Sequence, residues 1–225
     1  MTGAARQIIL IAAKDLRIEA RGRQTISLVI VLGILIVVVL RMGLGAGRPV
    51  TGFGATAILW VAYLFGGVLC FEKTMAVERR DDALAGLLLA PVDRGAIFVA
   101  KLLTNVVLMF SLAAVVTPVA ILLFRFDLSA HPLGFAAVMA LGMIGFASVG
   151  TLFAAAVSST RLEGGLLALL VFPLSLPIVI VSTQMMRRLF EQAEPLGGTG
   201  LATLVAFDVI FLVVSWTVFE LILEP

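Results

Sequence analysis

The stretch LLTNVVLMFSLAAVVTPVAILLF, residues 102–124, runs for 23 residues without a formal charge. About 20 apolar residues in a helix cross the hydrocarbon of a bilayer. Five similar runs flank it. Gln24–Leu40 is charge-free and extends past Arg41, whose long side chain can reach the interface. Val50–Phe71 is a second run, and Leu128–Thr160 is too long for one crossing. The expected spans are about 24–44, 50–71, 102–124, 132–157, 164–183 and 201–223. A backbone facing lipid must satisfy its own hydrogen bonds, so all six are expected to be helices. An outer-membrane barrel would instead alternate over segments of about ten residues. The fold class is therefore all-α, a polytopic membrane protein forming a single transmembrane domain.

Composition agrees. The 225 residues are 61% hydrophobic and 13% charged, against roughly 45–50% and about 25% in soluble chains. Mean hydropathy is +1.17. One cysteine, Cys70, excludes an internal disulfide framework and a CxxC redox pair. One histidine, His131, excludes HExxH, and no multi-histidine metal site is expected. No GxxxxGK[ST] loop occurs, so the chain does not hold ATP in that manner, and no enzymatic role is assigned to it. A net charge of +2 gives no reason to expect a nucleic-acid partner.

Lysines and arginines set the orientation. Eleven fall before the first span, between spans two and three or between spans four and five; five fall on the opposite side. Both termini are therefore expected in the cytoplasm of a bacterial inner-membrane protein. The N-terminal 23 residues do not fit a signal peptide, so the first span is expected to be retained. At 100° per residue, Arg6, Lys14, Arg17 and Arg21 fall within an arc of about 80°, predicting an interfacial helix over residues 1–23. Asp15 and Glu19 do not suit a lipid-facing surface, and contact with a partner protein is one reading of them.

The loop 72–101 is the most informative polar segment. Asp81 and Asp82 suit a helix N-terminus. Leu84, Leu87 and Leu88 form an apolar stripe, and Pro91 ends the short helix. Asp93 can then cap the helix entering span three. Two turns of isolated helix are marginal, so the stripe needs a cover, either the protein's own membrane-facing surface or a groove on a second protein.

The segment Glu78-Arg79-Arg80-Asp81-Asp82, the leucine-rich turn and Pro91-Val92-Asp93-Arg94 resemble the first cytoplasmic loop of ABC-2-type exporter permeases. There this loop is the coupling helix docking on an ATPase subunit. Lys14-Asp15-Leu16-Arg17 and Pro173-Leu174-Ser175-Leu176-Pro177-Ile178, with the length and six spans, make the chain similar to the CcmB family of cytochrome c maturation haem-exporter permeases. The resemblance implies a permease with haem as substrate and ATP on a separate ATPase subunit. It further implies a haem-handling membrane subunit, a small accessory membrane protein and a periplasmic haem chaperone. It assigns ATPase coupling to Glu78, Arg79, Arg80, Asp81, Asp82, Leu84, Leu87, Leu88, Pro91 and Arg94. One six-span unit offers one ATPase dock, so a second copy of the chain is expected.

Within the membrane, Pro173 and Pro177 free the carbonyls of Leu169 and Pro173. The result is a static kink or a span that breaks near Pro173, re-enters and forms an outer gate. Asp208 is an intramembrane acid and a functional candidate, or a group hydrogen-bonded to a nearby Ser or Thr. His131 is a lone loop histidine that can be an axial haem ligand or an ordinary surface residue. Only two isolated tryptophans occur, so no bound cofactor is assigned. Two rival functions stay open: an ion-gradient-driven transporter or channel using Asp208, and a non-transporting scaffold that uses the ATPase to release a haem chaperone.

Overall fold

The computed structural model describes residues 2–22, 24–45, 50–80, 93–125, 128, 131–158, 165–192 and 199–222; the side chains of residues 2, 24, 77–80 and 220–222 are not included. Seven helices lie among these residues, and no strand does. They are α1 (Thr2–Gly22), α2 (Gln24–Gly43), α3 (Gly52–Arg80), α4 (Arg94–Phe124), α5 (Pro132–Ser158), α6 (Leu166–Glu191) and α7 (Thr199–Ile222). The last six are long and apolar enough to cross a membrane, as the uncharged runs require.

The helices differ in burial because they differ in side-chain size. In α5, 67% of the apolar window is buried, against 17% in α2 and in α7. Hydrocarbon supplies no hydrophobic drive between helices, so close backbone approach through small residues takes its place. Helices α3 and α5 do this reciprocally. Gly150 of α5 faces the Phe71 ring, and Gly67 of α3 faces Phe146. The two phenylalanines meet with ring centroids 5.1 Å apart. Around this pair stand α4 and α6, with α2 and α7 on the periphery.

Helix α4 is the hub: it touches α1, α2, α3, α5 and α7. Its N-terminus is set by Asp93, whose carboxylate accepts the Gly95 N–H at 3.1 Å, as the sequence predicts. At its far end Arg125 adopts the left-handed conformation (φ 53°). There Arg41 of α2 donates to the Leu123 carbonyl at 3.1 Å and stands 6.0 Å from the centre of the Phe124 ring. Arg41 thus satisfies a helix-terminal acceptor and completes its own snorkel.

Helix α1 packs along α4 through Ile11, Ala12 and Leu16. Asp15 and Glu19 lie on this same face, opposite the arginine arc, so their partners are intramolecular. Lys101 Nζ stands 2.7 Å from Asp15 Oδ2, with the lysine only 1% exposed. Lys14 Nζ is 3.2 Å from Asp15 Oδ1. Glu19 Oε1 accepts the Ile26 N–H at 2.9 Å, capping the first turn of α2. The reading of Asp15 and Glu19 as partner contacts is therefore corrected.

The Asp15–Lys101 pair is buried, and removing one member of such a pair strips a charge of its compensation at a cost of about 3–5 kcal/mol. Asp15→Asn is expected to lower thermal stability in detergent on that scale. The double change Asp15→Asn/Lys101→Met is expected to recover more than half of the loss, read by the unfolding midpoint.

Candidate functional site

Four buried side-chain polar atoms among the described residues have no hydrogen-bond partner: Trp60 Nε1, Ser182 Oγ and both carboxylate oxygens of Asp208. They come from three helices and converge on one stretch of a fourth. A Cβ added to Gly142 of α5 would stand 2.6 Å from Cζ2 of Trp60 (α3) and 3.0 Å from Oγ of Ser182 (α6). One turn on, a Cβ at Gly145 would strike the Asp208 carboxylate of α7 and lie 3.2 Å from Cδ1 of Ile178. The glycines admit this approach; a Cβ at either position would force the Trp60 or Asp208 side chain to shift.

The chemistry is mixed. The indole only donates, the carboxylate accepts, and the hydroxyl does both. Asp208 is 5% exposed, while Trp60 and Ser182 are fully buried. A buried polar group left unpaired costs roughly 1–3 kcal/mol, and in hydrocarbon no water offsets it. The predicted alternative, a hydrogen bond from Asp208 to a nearby Ser or Thr, is not formed.

Toward the end of the bundle that carries α1, polar side chains are paired. Thr74 Oγ1 lies 2.7 Å from the Cys70 carbonyl and 2.9 Å from Asn105 Oδ1. Asn105 Nδ2 donates to Thr151 Oγ1 at 2.8 Å, linking α3, α4 and α5. Ser148 donates to Ser215 at 3.2 Å between α5 and α7. Beside this network, Asp15, Glu19, Lys73, Thr74 and Thr104 line a cavity of about 30 Å³, room for roughly two waters. Among the described residues, unpaired buried side-chain polarity is thus confined to the Asp208 cluster.

Other sequence-predicted residues lie apart from it. Asp81, Asp82, Leu84, Leu87, Leu88 and Pro91 fall outside the described residues, as do the side chains of Glu78, Arg79 and Arg80. Arg94 is the first residue of α4. Pro173 and Pro177 sit on the exposed side of α6, which runs unbroken from Leu166 to Glu191. The re-entrant break considered from the sequence is therefore absent. His131 packs its ring against Phe190, centroids 5.9 Å apart. Among the described residues no three His, Cys, Asp or Glu side chains gather as a metal site would require. Sequence reasoning did not single out Trp60, Ser182 or Lys101 as site residues. Their only local signals were an isolated tryptophan, a serine in an apolar span and a lysine at the end of the 72–101 loop that resembles the exporter-permease motif.

A family model described as "CcmB protein" matches residues 6–220. The chain is 27% identical over 183 residues to the heme exporter protein B of Paracoccus denitrificans (strain Pd 1222), covering 81% of this chain and 84% of that protein. It is 25% identical over 176 residues to the heme exporter protein B of Rhodobacter capsulatus, covering 78% and 80%.

The cluster makes a stability prediction. Gly145→Ala drives a methyl into the Asp208 carboxylate and is expected to cost about 1–3 kcal/mol. In an Asp208→Ala background the same change is expected to cost under half as much, since the carboxylate is gone. Thermal unfolding of the four members of this cycle in detergent measures the coupling.

Proposed function

This chain belongs to the CcmB protein family, and from that premise we propose that it is the membrane permease subunit of an ATP-driven complex that exports or delivers haem for cytochrome c maturation. ATP hydrolysis takes place on a separate ATPase subunit. The observation that carries the reading is the match across residues 6–220, together with two relatives named heme exporter protein B. Six apolar helices support a multi-pass position in the membrane. The charge bias supports an inner-membrane orientation with both termini on the cytoplasmic side.

Coupling runs through the loop between α3 and α4, which carries the leucine stripe Leu84, Leu87 and Leu88. The fold supports this role. Both helices flanking the loop lie in the middle of the bundle, and α4 touches five others. Its capped N-terminus and the Asp15–Lys101 pair tie the start of α4 to α1. A push from the ATPase on residues 81–92 therefore reaches α1, α2, α5 and α7 without first bending a peripheral helix. ATP can shift the bundle only by favouring one arrangement over another. Helix α6, missing two backbone donors at Pro173 and Pro177, is the element best able to flex as an outer gate. A second copy, a haem-handling membrane subunit, a small accessory protein and a periplasmic haem chaperone complete the assembly in this reading.

One observation favours a second reading. The unpaired Asp208 suits an ion-gradient-driven transporter in which it is the ion or proton site. Haem flux by the isolated chain without ATP would select that reading.

The primary test is the stripe. Leu84→Asp or Leu87→Asp is expected to leave the chain inserted while abolishing co-purification of the ATPase in mild detergent. Recovery of wild-type amounts of ATPase with either variant would overturn the docking role.

A further inference from the structure

At the end of α6 remote from α1, Gln184, Arg187, Arg188 and Gln192 line a groove of about 280 Å³. All four are exposed, on the side of α6 opposite the buried Met185, Met186 and Leu189. Among the described residues the lining carries two guanidinium forks, which only donate, and two side-chain amides, which donate and accept, with no carboxylate among them. Glu191, exposed in the same turn, accepts the Phe53 N–H through Oε1 at 3.1 Å and so caps α3. Neither arginine forms an ion pair among the described residues.

Adjacent arginines here run against the charge bias of membrane proteins, because this end of the bundle faces outward in the orientation proposed above. Such a pair needs an anionic counterpart. Guanidinium forks match the two oxygens of a carboxylate or the oxygens of a phosphate, and binding is bidentate and charge-assisted. The volume is small for a porphyrin ring but ample for its carboxylate edge.

We propose that this groove is an oxyanion-binding site on the outer surface of the permease. It takes the propionate carboxylates of haem or the phosphate of a lipid headgroup. The carboxylate form rests on the haem reading above; the groove as an anion site does not.

The test uses the full chain in phosphatidylcholine nanodiscs, titrated with iron protoporphyrin IX and with its dimethyl ester. The free acid is expected to bind about tenfold more tightly than the ester, a preference that Arg187→Gln/Arg188→Gln abolishes and Arg187→Lys/Arg188→Lys partly keeps. In a second arm, native mass spectrometry follows phosphatidylglycerol carried over from mixed-lipid nanodiscs. Equal binding of acid and ester, with phosphatidylglycerol held by the wild type and lost from the glutamine variant, supports the lipid phosphate as occupant. No effect of the glutamine variant in either arm overturns the proposal. ATPase co-purification is expected to be unchanged in this variant, so the groove and the coupling role fail separately.

Discussion

A polypeptide in hydrocarbon has no solvent to satisfy its polar groups, and this constraint governs the whole molecule. It makes every crossing a helix. It also decides where side-chain polarity can go, which is inward, toward the small-residue helix α5 and its neighbours. The Thr74–Asn105–Thr151 chain obeys it by linking three helices with hydrogen bonds between 2.8 and 2.9 Å. Arg41 obeys it by binding the end of α4. The Asp208 cluster departs from it, which makes that cluster the energetic exception in the bundle.

The two halves of the bundle are therefore differently poised. Near α1 the interior is tied by a buried ion pair, a cap and a side-chain network. Around Gly142 and Gly145 it is held by steric fit alone, with a donor, an acceptor and a hydroxyl close together but unbonded. A rearrangement there breaks no hydrogen bond and can form new ones, whereas one at the α1 end breaks several.

Most of the fold was legible because its signals are local. Uncharged runs mark the spans, and Asp93 two residues before Gly95 marks a cap. The amphipathic pattern of the N-terminus marks the helix Thr2–Gly22, and the leucine stripe with its flanking charges pointed to the family. The unread part depends on partners distant in the chain. Asp15 meets Lys101 across 86 positions, and no periodicity reveals that match. The Asp208 cluster joins residues of α3, α5, α6 and α7, so the isolated Trp60 and Ser182 look ordinary in sequence. The carbonyls freed by Pro173 and Pro177 left a static kink or a broken span open, and α6 runs continuously with both prolines on its exposed side.

The distance between Asp15 and Lys101 in the chain also bears on biogenesis. Ribosomes add about 5–20 residues per second, so on the order of ten seconds separate the appearance of the two charges. During that interval the Asp15 carboxylate has no Lys101 to pair with. Only when the third span has been delivered can the helix roll inward and seal its carboxylate beside the lysine. The N-terminal segment, although synthesised first, thus reaches its final position no earlier than the third span.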